Sequence, residues 1–180
     1  MLVAEQKLNE NVAEYILYMY QVEDVIRAFK FDLDAIMEQF VVPQLPDTSF
    51  LLEYRKWYAT LISQMQSQKI EGKGHLFLIQ EILIELSYLH NTLLNMSKDE
   101  KYKELYERAL PHIESFVDKS NLKDKNHIEA AFHALYMKLL LKLQKKEISS
   151  ETEESFDSMR ILLAYLSRAY HQMKRGELTF

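Results

Sequence analysis

The sequence contains no cysteine among its 180 residues, and glycine and proline occur only three times each. Without cysteine the chain forms no disulfide, and cysteine-based metal, redox and nucleophilic chemistry is excluded. The scarcity of glycine and proline, together with abundant Leu, Ala, Glu, Lys, Gln and Met, favours helices. The composition therefore predicts an all-α protein, and the lack of cysteine fits a reducing compartment such as the cytoplasm.

Long apolar runs are also missing. The longest ones, such as 15–20 and 139–141, fall far short of the ~20 residues that span a bilayer. Near the N-terminus, Glu5 and Lys7 come too early to leave room for the apolar core of a signal peptide. We therefore expect no membrane partner and a cytoplasmic location.

Basic residues are scarce in the first half of the chain. Residues 1–90 carry 7 basic and 13 acidic side chains, whereas residues 91–180 carry 15 and 14, and the formal net charge is −5. An acidic half repels the phosphate backbone of a nucleic acid. Nucleic acid is therefore not an expected partner.

Apolar periodicity, together with the proline, glycine and capping residues between the periodic stretches, predicts up to seven helices. They begin near residues 10, 33, 48, 75, 98, 124 and 150, and we number them in that order as predicted helices 1 to 7. The connections are only a few residues long, which makes sequential helices antiparallel. The predicted fold is an up-and-down bundle of six to seven helices in a single domain over 1–180, with a frayed tail at 177–180.

Predicted helix 1, with the sequence AEYILYMYQVEDVIRAF over 13–29, has two different halves. Residues 13–20 are apolar or aromatic except Glu14, whereas residues 21–27 carry most of its polar groups. A helix that is apolar nearly all round is surrounded by other helices. This helix and the similarly apolar predicted helix 4 are therefore expected at the centre. Arg27 is spaced to pair with Glu23 or Asp24, and such a pair, if buried, would indicate register-setting or ligand contact.

The stretch AEYILYMYQVEDVIRAF and the overall length resemble an uncharacterised family of small all-helical bacterial proteins, a domain of unknown function. The resemblance covers the whole chain and implies an all-α fold. Because the family has no assigned activity, the resemblance implies no functional residues.

Paired carboxylates are one source of chemistry in helical bundles. Di-iron bundles combine glutamates with Glu-x-x-His motifs, but no glutamate of this sequence is followed by histidine three residues later. The nearest substitute is Glu129 with His133 at i,i+4. Solvated helix faces therefore explain the glutamates better than a metal–carboxylate centre does, and we predict no metal ligand and no cofactor.

Three further patterns favour ordinary structural explanations. The segment EGKGH over 71–75 lacks the first glycine, the Ser or Thr and the preceding strand of a phosphate loop, so it is read as a turn between helices. The six histidines are scattered without a local metal signature. Lys138, Lys142, Lys145 and Lys146 follow one line on predicted helix 6, which indicates a solvated face before it indicates an acidic partner.

Aromatic residues on predicted helices 1 and 3 suggest a ligand pocket between predicted helices 1, 3 and 4. Its candidate residues are Tyr18, Gln21, Asp24, Arg27, Trp57, Glu81 and Glu85. A small-molecule-binding or enzymatic bundle is therefore the alternative to a purely structural interpretation.

The sequence favours a non-enzymatic helical protein that acts through protein contacts or self-association, with no catalytic residue assigned. One route to a homodimer is predicted helix 7, where apolar residues recur at 3,4 spacing as in coiled coils. They are Phe156, Met159, Leu163, Leu166, Tyr170 and Met173. The ligand-binding bundle is the second hypothesis and the metal–carboxylate bundle the third.

Overall fold

The computed structural model describes residues 2–45, 48–120 and 122–178, and these residues form eight α-helices and no β-strand. The helices are α1 (Val3–Glu10), α2 (Val12–Ala28), α3 (Leu33–Ile36), α4 (Leu51–Ser67), α5 (Phe77–Asn95), α6 (Glu100–Ser120), α7 (His127–Leu143) and α8 (Ser150–Lys174). Helix α3 continues into a π-helical turn over Met37–Val41 and a 3-10 turn over Val42–Gln44. The all-α prediction is confirmed, but the prediction of six to seven helices is wrong.

The additional helix is α1, which Asn11 separates from α2. Asn11 has an extended backbone (φ −155°, ψ 97°), and its Oδ1 accepts hydrogen bonds from the backbone N–H groups of Ala13 and Glu14. An asparagine side chain satisfies the free N–H groups at the start of a helix in this way. Asn11 therefore ends one helix and caps the next.

Helices α2, α4, α7 and α8 end in the same way, with a left-handed residue two positions after the last helical one; after α2 the next residue, Phe31 (φ 65°), is left-handed as well. The residue two positions after the helix is Lys30, Lys69, Lys145 and Gly176, respectively. In each case its N–H and the following N–H bond back to carbonyls of the last helical turn, the arrangement of a Schellman motif. With only three glycines in the chain, lysine occupies a position that glycine usually fills.

Two helices are capped by a neighbour of the residue that the sequence predicts. Ser97 and Ser150, each with a glutamate three residues later, have the spacing of a capping box. In the structure Asp99 accepts the N–H of Tyr102 at the start of α6, and Ser149 accepts the N–H of Thr152 at the start of α8. For predicted helix 3 the sequence offers Asp47 or Thr48 as the cap, and Asp47 lies outside the described residues.

Pro111 does not divide α6, although its missing N–H group predicts a kink or a break. Pro111 and Glu107, whose carbonyl loses its donor, both lie on the exposed side of the helix. Water reaches a carbonyl on that side, so the helix continues through the proline.

Helices α7 and α8 occupy the centre of the fold. Helix α8 contacts α2, α5, α6 and α7, while α2 and α5 each pack against both α7 and α8. The apolar stripe of α8 from Phe156 to Tyr170 is at most 6% exposed. Because helices of the same chain cover this stripe, it does not offer the dimer surface that the sequence suggested.

Within the three described ranges, no helix combines the length and the apolar character that crossing a membrane requires.

The cap at Asn11 gives a first test of the fold. Asn11→Ala removes the side-chain acceptor for two helix N–H groups and for the hydroxyl of Ser167, which donates to Oδ1 over 2.9 Å. We expect a loss of about 1–2 kcal/mol in the free energy of unfolding, measured by urea denaturation. Asn9→Ala at an exposed position of α1 is the control, and equal losses in both variants would contradict this role.

Candidate functional site

Glu23 is a fully buried carboxylate at the polar end of α2, with 0% exposure. Its Oε1 accepts the backbone N–H of Leu76 over 2.8 Å, and its Oε2 lies 2.7 Å from Nδ1 of His75. Leu76 is the N-cap residue of α5, so the carboxylate sits at the positive end of that helix. Glu23 thus serves as a tertiary cap that joins α2 to the start of α5.

Arg27 binds the segment between α4 and α5, just before the residues that Glu23 contacts. Its Nη2 donates to the carbonyl oxygens of Ile70 (3.1 Å) and Gly74 (2.5 Å), while its Nη1 bonds Asp24 over 3.0 Å. Asp24 is half exposed and also accepts the hydroxyl of Tyr136 over 2.7 Å, which links α2 to α7. The ion pair that the spacing permits is therefore between Asp24 and Arg27, and Glu23 pairs with His75 instead.

Three rings lie beside this carboxylate. Tyr20 stacks on His75 with ring centroids 3.8 Å apart, and the ring of His133 lies 5.7 Å from Tyr20 and 5.8 Å from His75. Burial and the nearby His75 lower the pKa of His133. The hydroxyl of Tyr20 is buried and has no hydrogen-bond partner among the described residues. We call Tyr20, Glu23, His75 and His133 the α2 cluster.

The α2 cluster borders a surface depression of about 230 Å³ to which His75, Lys125 and Glu129 contribute. The bond from Nδ1 of His75 to Glu23 orients the imidazole, an arrangement that enzymes use to position a base. In this protein, the bonds made by Glu23 and Arg27 also secure the connection between α4 and α5. The geometry therefore supports a structural role for these contacts before a catalytic one, and we call the bonds of Glu23 to Leu76 and His75 the clasp.

The predicted aromatic candidates lie in a separate place. Tyr18 stacks on Trp57 with centroids 6.4 Å apart, and Tyr54 and Tyr58 contact the same indole. Tyr18 also lines a depression of about 230 Å³ between α1, α2, α4 and the turn near Phe40. Burial, with a smaller effect of Tyr54, raises the pKa of Tyr18 to about 12.

The remaining candidates do not join either group. Glu85 binds Tyr170 (2.6 Å) and Lys174 (2.7 Å) on α8. Partial burial raises its pKa, but these two hydrogen bonds outweigh burial and lower it overall. Glu81 is exposed, and Gln21 is half-buried without a hydrogen bond to another described residue. The structure thus brings Asp24 and Arg27 together, and Tyr18 and Trp57 together, but does not unite the set.

The lysines of predicted helix 6 are partly engaged within the chain. Lys138 is largely buried and pairs with Glu153 and, over 3.4 Å, with Asp157 of α8. Lys142 lies 3.9 Å from Glu153. These pairs lie beside a depression of about 490 Å³ between α2, α7 and α8, and they neutralise part of the basic line.

A second imidazole cluster was not predicted from the sequence. His90 of α5 is 8% exposed, and its Nδ1 lies 2.7 Å from the hydroxyl of Tyr102 on α6. The hydroxyl of Tyr106, one turn along α6, lies 2.7 Å from Nδ1 of His127 at the start of α7. These four residues form the α6 cluster, and His90, Tyr106 and His127 line a cavity of about 320 Å³.

Burial dominates the electrostatics of the α6 cluster. It lowers the pKa of His90 to about 4, with a further decrease from His127. Burial likewise raises the pKa of Tyr102 and of Tyr106. At neutral pH His90 is therefore uncharged and both tyrosines keep their protons.

Across the described parts of the chain, no three His, Asp or Glu side chains are grouped closely enough to hold a metal ion. Glu129 and His133, the nearest approach to a metal motif in the sequence, have other neighbours. Glu129 accepts from Asn126 over 3.0 Å, and His133 lies against Tyr20.

Comparison with known families gives one assignment. The family described as "Domain of unknown function (DUF4924)" has a model that matches residues 1–177. The chain belongs to this family. This confirms the resemblance to an uncharacterised family, and no function is established for it. No curated protein and no solved structure matches the chain.

The clasp at Glu23 predicts a large mutational effect. Glu23→Ala leaves the buried N–H of Leu76 without an acceptor and removes the partner of His75, so we expect a loss of about 3 kcal/mol in stability. Denaturation in urea measures the loss, and faster hydrogen exchange at Leu76 locates it. Glu154→Ala at an exposed position of α8 is the control and should change stability very little. Similar losses in the two variants would show that the clasp is not needed.

The lowered pKa of His90 predicts a pH dependence of stability. Below about pH 6.5 the unfolded chain protonates this imidazole while the folded chain, with a pKa of about 4, does not. The contribution of the neutral His90 to the free energy of unfolding is therefore fully present above pH 6.5, and it is lost as the pH falls towards 4. His90→Gln cannot titrate, so a flatter stability profile in this window is expected in denaturation experiments. An unchanged profile would contradict the assignment.

Proposed function

We propose that this protein acts through protein contacts and forms a homodimer through the outer face of α5. The observation that carries the proposal is the exposure of Phe77 (57%), Ile84 (69%) and Tyr88 (67%). At spacings of seven and four residues these side chains lie on one face of the helix. With Glu81 between them, they form what we call the α5 ridge.

The α5 ridge points away from the rest of the chain. The opposite face of α5 packs against α6, α7 and α8 through residues such as Ile79, Leu86 and Leu93, each at most 2% exposed. Burying a large apolar side chain contributes about 1.5–3 kcal/mol, so three adjacent exposed ones favour association.

The spacing of the apolar residues lets the α5 ridge of one copy pack against the α5 ridge of a second copy. In an antiparallel pairing about a two-fold axis, Phe77 of one copy meets Tyr88 of the other, and the two Ile84 side chains lie near the axis. Leu78 (50% exposed) and Met96 (67% exposed) extend the apolar surface along α5. Tyr, Phe and Met are residue types that protein interfaces favour.

The scatter of the candidate site residues supports a contact role over an enzymatic pocket. Glu85 pairs with Lys174, Asp24 pairs with Arg27, and Tyr18 stacks on Trp57, at three separate places. Because no shared cavity collects them, the pairs fit stabilisation of the helices better than recognition of one substrate.

The chain is further proposed to be one domain arranged as an up-and-down bundle. A continuous set of buried side chains from α1 to α8 supports this arrangement, and so do the short connections, such as Asn11 alone between α1 and α2. A cytoplasmic location, with neither nucleic acid nor membrane as partner, fits the acidic charge and the absence of cysteine.

The dimer is tested by placing a charge in the α5 ridge. Ile84→Glu buries a carboxylate against the other copy, so we expect a monomer where the unmodified protein is a dimer at high micromolar concentration. Light scattering coupled to size-exclusion chromatography gives the mass. Leu52→Glu on α4, at a position of 63% exposure, is the matched control and should remain dimeric. A strictly monomeric unmodified protein would overturn the proposal.

A further inference from the structure

The cavity beside the α6 cluster is lined by polar side chains that are neutral or basic. It lies between α5, α6 and the start of α7, measures about 320 Å³, and is bordered by His90, Asn91, Tyr106, Lys125 and His127. The described residues that line it include no aspartate or glutamate. Its polar side chains are therefore neutral or basic, although the protein as a whole is acidic.

The buried hydroxyl of Tyr102 determines which nitrogen of His90 carries the proton. Tyr102 is 0% exposed, and His90 Nδ1 is its hydrogen-bond partner. A buried O–H without an acceptor is costly, so the hydroxyl donates to Nδ1 and the neutral imidazole carries its proton on Nε2. Among the described residues nothing bonds that Nε2. His90 thus presents an N–H donor at the edge of the cavity.

His127 and Lys125 add donors from a second direction. When the hydroxyl of Tyr106 donates to Nδ1 of His127, the neutral imidazole carries its proton on Nε2, which has no hydrogen bond to another described residue. Lys125 is partly exposed and forms an ion pair with Glu129, whose carboxylate lies 3.6 Å from the ammonium group. Asn126 holds the other oxygen of Glu129 over 3.0 Å, so this carboxylate is directed towards the helix start.

From this geometry we propose that the cavity binds a small oxyanion, the phosphate or carboxylate group of a small molecule. Lys125 supplies the fixed positive charge, and His90 and His127 supply N–H donors, which together match an acceptor-only ligand. A volume of about 320 Å³ admits such a group with a short organic remainder. Asn91 follows Ile84 by seven residues, so the site adjoins the α5 ridge, but its donors His90, Lys125 and His127 are not ridge residues and binding does not require the proposed dimer.

Binding of an anion is coupled to the charge of His90. The groups around this imidazole are Tyr102 and Tyr106 on α6, and His127 and Lys125 near α7. Behind Tyr102 lies Tyr165 of α8, whose hydroxyl bonds Asp99 over 2.8 Å. A bound anion favours the imidazolium, so it moves the pKa of His90 up towards its ordinary value. By the same linkage, binding strengthens as the pH falls through that range.

The test follows the His90 ring signals by NMR while inorganic phosphate is added at constant ionic strength and pH, with acetate in a parallel titration. A pH titration without anion and one at saturating anion then give the pKa of His90 in the free and bound states. We expect saturable shifts and a higher pKa of His90 in the bound state. Saturation by phosphate alone assigns a phosphoryl site, and saturation by both assigns a general oxyanion site. Saturation by acetate alone assigns a carboxylate site. The absence of saturation by either overturns the proposal.

Two variants separate a specific site from general charge. Lys125→Gln is expected to raise the dissociation constant about tenfold or more, because a charge-assisted bond is lost. Lys142→Gln makes the same charge change on the far part of α7, where the side chain is 58% exposed, and should leave the constant within about twofold. Equal weakening by both variants would show nonspecific attraction and overturn the site.

Discussion

The buried carboxylate of Glu23 is the interaction that fixes the start of α5 against α2 and so positions the connection that follows α4. A charge without exposure is costly unless donors surround it, and the N–H of Leu76 and the ring of His75 provide them. In return, the start of α5 is held at a defined point on α2, with Arg27 securing the carbonyls just before it. The polar end of α2 is therefore part of the core, as much as its apolar half is.

The sequence predicts those parts of the fold that depend on residues close together in the chain, such as the buried faces and the ends of helices. The apolar residues of α2 and α8 have helical spacing, and the structure buries Ile16, Met19 and Leu163 as that spacing requires. Lys174 and Arg175 followed by Gly176 are typical of a helix end, and a left-handed Gly176 follows α8. The helices followed by a left-handed lysine carry no such signal, because the sequence does not show whether the backbone of a lysine is right-handed or left-handed. Asparagine is a residue type that caps helices, so the sequence does contain a signal for the split at Asn11.

The site was predictable only where partners are neighbours in sequence. Asp24 and Arg27 are one turn apart, and the sequence predicts them as candidates. The Nη2 of Arg27, however, donates to carbonyls 43 and 47 residues away. Glu23 could have been identified, since its spacing from Met19 and Ile26 places it on the buried stripe of α2. The pairing of His90 with Tyr102 joins two helices across a packed interface, and no periodicity within one helix reveals which residues will face each other.

The junction at Asn11 also has a consequence for the order in which the chain is made. The hydroxyl of Ser167 donates to Asn11, and the N–H of Val12 donates to His171, so the hydrogen bonds of the first residues of α2 are completed by α8. Helix α8 also covers faces of α5, α6 and α7. During synthesis on the ribosome, the apolar surfaces that α8 covers on these earlier helices stay exposed until α8 itself emerges. The packing of α2, α5, α6 and α7 is therefore completed only after α8 has been made.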